Sequence, residues 1–176
     1  MRRAWLLLLL CGCASGGNSS TISSSQPVIF QGDQGTLLGD AALSSGADVD
    51  APPATTWLAV KKVYADMEIP LTLEDAPGHQ LGNKNFYKTH QMAGQSMAQF
   101  VDCGNGMTGP NALSFRIYIS SITTVTGNAK GGSNVQTIFI PQGQDMGGTS
   151  SDRIPCGSTG RFEALLLQRV AAVIGK

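Results

Sequence analysis

Few side chains in this sequence could do chemistry, and they are scattered. His79 and His90 are the only histidines. Neither stands in a HExxH frame or beside a cysteine, so neither has metal-ligand spacing. His79 follows Pro77-Gly78 and reads as a solvated turn residue, and His90 reads as the end of a strand. Asp66, Glu68, Glu74 and Asp75 are clustered in sequence, yet strand alternation turns the glutamates away from a core and favours a solvated face over a glycosidase-type carboxylate pair. Gly104-Asn105-Gly106 and the glycines from 127 to 132 lack the strand-then-helix setting and the Lys-Ser/Thr pair of a phosphate loop, and read as turns. Ser158-Thr159-Gly160 precedes a helical stretch and could hold an anion on free backbone amides with Arg161; helix capping accounts for the same residues. No catalytic residue, cofactor or metal site is expected from this inventory.

The elements that would position these residues follow from composition and periodicity. Only 14% of residues are charged, with 12 basic against 12 acidic and 22 glycines, which predicts an uncharged polar surface rich in turns and no electrostatic attraction for nucleic acid. Trp57, Val60, Tyr64 and Met67 recur at helical spacing behind Pro52-Pro53 and predict a helix over about 54–67. Ile69, Leu71 and Leu73 alternate with polar residues as in a strand, and further strands are expected over 79–83 and 86–90. Ser96 is expected to cap a short helix carrying Met97 and Phe100. In the clearest strand, Leu113, Phe115, Ile117 and Ile119 take one face, with Ser114, Arg116, Tyr118 and Ser120 on the other. Its antiparallel partner carries Val135, Thr137 and Phe139, and residues 142–155 read as a loop. Phe162, Leu165, Leu166, Val170, Val173 and Ile174 make the stripe of a closing helix, with Glu163 near the positive end of its dipole. The expected fold is α+β: an antiparallel sheet packed by an N-terminal and a C-terminal amphipathic helix in two layers.

The N-terminus speaks to compartment. Arg2-Arg3 form a positive n-region and residues 4–10 an apolar h-region, far short of the roughly 20 residues of a transmembrane helix. Leu10-Cys11-Gly12-Cys13 resembles the lipobox of bacterial lipoproteins, with Cys11 where Ala or Ser is usual. The resemblance implies that residues 1–12 are a signal peptide, that Cys13 carries acyl chains such as palmitate, and that the protein is anchored in the envelope. Ser15 in place of an aspartate resembles outer-membrane sorting, so the domain would face the periplasm from that membrane. The alternative is a secreted chain cut after Ala14. Residues 13–47 read as a Ser/Gly-rich tether, with one short hairpin formed by Val28-Ile29-Phe30 and Thr36-Leu37-Leu38. The remainder, 48–176, reads as a single domain. In an exported chain, Cys103 and Cys156 read as one disulfide.

The Pro-Pro start, Trp-bearing helix, antiparallel strands and closing helix behind a lipobox are similar in outline to helix-grip domains and BamC-like lipoproteins of the outer-membrane β-barrel assembly machinery. The segments 57–70, 100–104 and 156–160 also look like those of envelope lipoproteins for which no activity is implied. No BamC-type binding motif is matched, so no particular partner carries over. The expected function is that of a non-enzymatic envelope lipoprotein with a binding or structural role, held to the membrane at Cys13 and engaging an envelope protein. The alternative is a small periplasmic hydrolase or ligand carrier using a histidine and a nearby carboxylate.

Overall fold

The computed structural model describes residues 28–32, 35–39, 44–148 and 151–175. Cys13, the expected signal peptide and most of the expected tether lie outside them. The content is mixed: two α-helices and a six-stranded antiparallel sheet. Beside several two-residue pairings, the strands are β1 (Val28–Gly32), β2 (Gly35–Gly39), β3 (Ser44–Val49), β4 (Leu73–Asp75), β5 (Gln80–Thr89), β6 (Phe115–Gly127), β7 (Ser133–Asp145) and β8 (Ile154–Pro155), and the helices among the described residues are α1 (Pro53–Asp66) and α2 (Arg161–Ile174). β1 and β2 pair only with each other, from Val28↔Gly39 to Gly32↔Gly35, the hairpin expected from their apolar triplets.

The main sheet runs β8-β7-β6-β5-β4, and β3 shares the outer edge of β7 with β8. β6 and β7 form a long hairpin, in register from Phe115↔Asp145 to Gly127↔Ser133. Their turn is organised by Asn128, whose Oδ1 accepts the N–H groups of Lys130 and Gly132 at 3.0 and 2.9 Å. Strand alternation is plain in burial. Ile117, Ile119, Ser121, Thr123 and Val125 of β6 are buried together with Val135, Thr137 and Phe139 of β7, while the residues between them are half-exposed or exposed. Helix α1 starts with Pro53 in its first turn, where a missing N–H costs nothing, and buries Trp57, Val60, Val63 and Tyr64. It contacts α2, β5, β6 and β7, and α2 contacts β7 and β3.

Polar groups inside this core are paired. The Tyr64 hydroxyl lies 2.8 Å from Ser121 Oγ and 3.0 Å from Thr123 Oγ1, which in turn meets Thr137 Oγ1 at 2.9 Å. Burial pushes the Tyr64 phenol above its ordinary range, with the two hydroxyls opposing the shift. Ser133 Oγ donates to Ala51 O and lies 2.9 Å from Thr56 Oγ1, tying the entry of α1 to the start of β7.

Several boundaries differ from the sequence reading. β3 begins at Ser44, although the chain up to Ala47 was expected to be connection. Its Ser-Ser-Gly-Ala run has little strand preference, and pairing with Ser133–Ile138 of β7 holds it. The two strands expected between His79 and His90 are one, β5. A register shift opposite Ile119 and Ser121 breaks its pattern, and a Cβ on Gly82 would meet Ser121 O at 2.1 Å, so only glycine fits the close approach. Residues 68–72 are not strand, because the chain turns through Glu68 with φ +55°. Leu113 lies in a 3₁₀ turn ahead of β6 and is exposed. Part of the expected 142–155 loop belongs to β7 and β8.

Candidate interaction face

Residues singled out from the sequence are not brought together. His79 and His90 flank β5 at its two ends, and ten residues of strand hold them roughly 30 Å apart. Both have left-handed backbone, with φ of +46° and +60°, as turn residues do. His79 lies beside Trp57, with ring centroids 6.3 Å apart, and His90 is exposed. Glu74 pairs with Lys61 at 2.5 Å and Asp66 with Lys62 at 3.0 Å, both on the solvated surface. Asp75 Oδ1 accepts the Gly78 N–H at 3.2 Å, a turn contact. Asn105 and Gly106 pair with Pro110 and Gly109 in a tight hairpin. Among the described residues, no group of three or more His, Cys, Asp or Glu side chains could hold a metal ion, and no helix is long and apolar enough to cross a membrane.

Cys103 and Cys156 form a disulfide, with sulfurs 2.05 Å apart. It lies over Gly143 of β7, where a Cβ would stand 3.0 and 3.2 Å from the two sulfurs and 2.7 Å from the Phe115 ring. The link joins the segment before α2 to the segment before β6, as the sequence implied.

The start of α2 is used internally. Gly160, at φ +78°, is the N-cap, and its N–H donates to Ser158 Oγ at 3.1 Å. Ser158 Oγ donates in turn to Glu163 Oε1 at 3.0 Å, and Thr159 Oγ1 donates to Gln99 O at 2.5 Å. The Glu163 carboxyl is therefore buried against the helix start, and desolvation raises it above the usual carboxylate range against the pull of its own backbone N–H and of Ser158. A carboxyl raised in the fold contributes stability that is fullest below its unfolded pKa and is lost as pH rises through the folded value. Glu163→Gln keeps an acceptor for Ser158 and removes the titration. It should match the wild type near pH 4 and exceed it at pH 7 in urea denaturation; a wild type that gains on the variant as pH rises would reverse this reading.

The face of β6 opposite the core carries a cluster of a different kind. Tyr118 sits opposite Tyr87 of β5, with ring centroids 6.0 Å apart. The Arg116 guanidinium lies 5.1 Å from the Tyr87 centroid and that of Arg153 lies 3.4 Å from the Tyr118 centroid, so each ring has a cation against it. The Tyr118 hydroxyl donates to Gln144 Oε1 at 3.0 Å, and Gln144 Nε2 donates to Ser151 O at 2.9 Å, fixing the tyrosine against the loop that delivers Arg153. Arg116 beside the Tyr118 hydroxyl, with smaller help from Arg153, lowers the phenol from its ordinary range. Tyr87 is 58% exposed. Along the same face, Ile122 of β6 stands opposite Ile138 of β7, both half-buried.

Exposed apolar side chains gather at this end of the sheet. Of the six large ones among the described residues, Leu113 just precedes β6, Met146 just follows β7, Ile154 pairs with Gly143, Tyr87 pairs with Tyr118, and Met107 tips the hairpin before β6. Only Leu58, on α1, lies elsewhere. The alternation of β6 was enough to turn Arg116 and Tyr118 outward together. Tyr87 and Arg153 join them through β5 pairing and a loop, which nothing local in the sequence signals. In comparisons with known proteins, the chain matches no protein-family model and no curated protein at a significant level.

Proposed function

We propose that this protein is a non-enzymatic lipoprotein of the bacterial envelope, anchored through acylated Cys13, whose α+β domain binds another envelope protein on the sheet face that carries Tyr87, Arg116, Tyr118 and Arg153. The location rests on the basic n-region, the short apolar run and the lipobox-like Leu10-Cys11-Gly12-Cys13. Acyl chains in the plural matter, because one alone gives marginal membrane binding. A disulfide-bonded domain suits an oxidising compartment. In this reading the domain has two layers, with α1 and α2 on one side of the sheet and the other side left for a partner.

The observation that carries the binding role is the pairing of exposed Tyr87 with half-buried Tyr118, braced by two guanidiniums. Tyrosine and arginine are enriched where protein interfaces draw their energy, since both offer large contact area with a polar end. The histidine-based hydrolase reading is less favoured, because the two histidines stand at opposite ends of β5.

The test is site-specific photo-crosslinking of the full chain in its native envelope. A crosslinker at Tyr87 should give a discrete adduct that Tyr118→Ala reduces about tenfold, the scale of one interface anchor. A crosslinker at Leu58, equally exposed at 60% on α1, should give none. Equal adducts from both positions, or none from Tyr87, would remove the face as the binding site. Cys13→Ser should release the protein from the membrane fraction; retention there would remove the anchor.

A further inference from the structure

Resting on that reading, we infer that the occupant of the face is an extended segment of a protein partner that places a carboxylate between Arg116 and Arg153 and apolar side chains along Ile122 and Ile138. Each guanidinium lies against a tyrosine ring, and with five N–H donors apiece the two arginines carry more donors than the Tyr118 hydroxyl beside them can take. A planar carboxylate matches that donor fork in two-point contact. Tyr118 raises Arg116 above its ordinary range, first through a side-chain hydrogen bond and then through charge, and Tyr87 adds a smaller charge effect. Its Nε is buried with no hydrogen-bond partner among the described residues. A buried donor of this kind has its hydrogen-bonding capacity still to fill.

The nearby acids decide between a peptide and an anionic membrane. Asp145 follows Gln144, which lies opposite Arg116, and Asp152 precedes Arg153; both are exposed. Asp145 directs Oδ1 to the Gly147 N–H at 2.9 Å, within its own turn. Two exposed aspartates beside two arginines leave this end close to neutral, which a sheet of anionic headgroups would not favour and a single carboxylate on a polypeptide tolerates. The shape agrees. Tyr118 and Ile122 lie on one face of β6 with Ser120 between them, and an extended peptide presents alternate side chains to such a face.

The test uses the full acylated chain in neutral detergent and two fluorescent ten-residue peptides, one alternating Glu and Val and the other Gln and Val. Anisotropy should show the Glu peptide binding about tenfold tighter than its Gln counterpart, with the gap closing in high salt. Arg116→Gln and Arg153→Gln should each weaken the Glu peptide about five- to tenfold and leave the Gln peptide unchanged, while Arg116→Lys retains part of the preference. Unchanged circular dichroism melting would show the variants folded. Equal binding of both peptides, reduced in both by Tyr87→Ala, would overturn the carboxylate and keep the face. Binding that Tyr87→Ala does not reduce would remove the face itself. No binding of either peptide, or binding of phosphatidylglycerol vesicles in their place, would overturn the proposed occupant.

Discussion

Reducing the Cys103–Cys156 disulfide should lower the unfolding free energy by about 4 kcal/mol, the chain-entropy value for a loop of this length. The cysteines are 53 residues apart, and the loop they close contains β6, the turn and β7. Without the link, the unfolded chain regains the freedom of that whole segment. The folded side loses little by comparison. Val101–Asp102 remains paired with Gly157–Ser158, and Thr159 N–H donates to Phe100 O at 3.0 Å. The Cys103→Ala/Cys156→Ala double variant should therefore show the same loss as reduction, with native-like circular dichroism below its transition. Urea denaturation with and without reductant measures it. A loss below about 1 kcal/mol would mean that the short backbone pairing alone already restricts the unfolded loop. Gly143 bears on the same point, since a side chain there would compete with the sulfurs for one space.

Phe162→Ala should cost about 3–5 kcal/mol, the range for deleting a fully buried phenylalanine ring. Phe162 is completely buried in the first turn of α2. Its ring stacks on Phe139 of β7 with centroids 4.4 Å apart and meets Phe100 edge-on at 6.5 Å. One side chain thus joins the closing helix, the centre of the sheet and the segment leading to Cys103. Truncation leaves a hole that the α2 backbone cannot close, because Glu163 and the Gly160 cap hold the same turn in place. Phe162→Leu should cost less, since most of the volume is kept. Equilibrium denaturation at neutral pH distinguishes the two. Equal and small losses would show that α2 is docked by Leu166 and Val170, further along its stripe.

The parts legible in the sequence are those whose signal is periodic and local. The stripe of α1, the stripe of α2 and the alternation through β6 emerge within a residue or two, and that of β7 over its first part, because a buried face repeats at the period of its own backbone. The disulfide was legible by counting. What failed depended on partners remote in the chain. β3 has no side-chain signature and exists through its pairing with β7. β5 looked like two strands because the register shift opposite Ile119 and Ser121 of the neighbouring strand breaks its alternation. Glu163 was expected merely to complement the helix dipole, and its burial follows from Ser158 folding back over it. The same limit applies to the binding face. Arg116 and Tyr118 were placed on one side of a strand, but their cluster needs Tyr87, about thirty residues earlier, and Arg153, about as far ahead.

The position of β3 governs how a chain delivered N-terminus first can finish folding. Asp48 is joined to Asn134, 86 residues later, so β3 must wait until well past the middle of the domain has emerged before its place at the edge of β7 exists. Contacts of such long sequence separation form slowly, and a waiting strand is the usual seed of wrong pairing. Here the waiting strand is Ser-Ser-Gly-Ala-Asp-Val, small, polar and acidic, with one β-branched residue at its end. A composition that looked like a mere connector is well suited to a strand that must remain inert until its edge arrives.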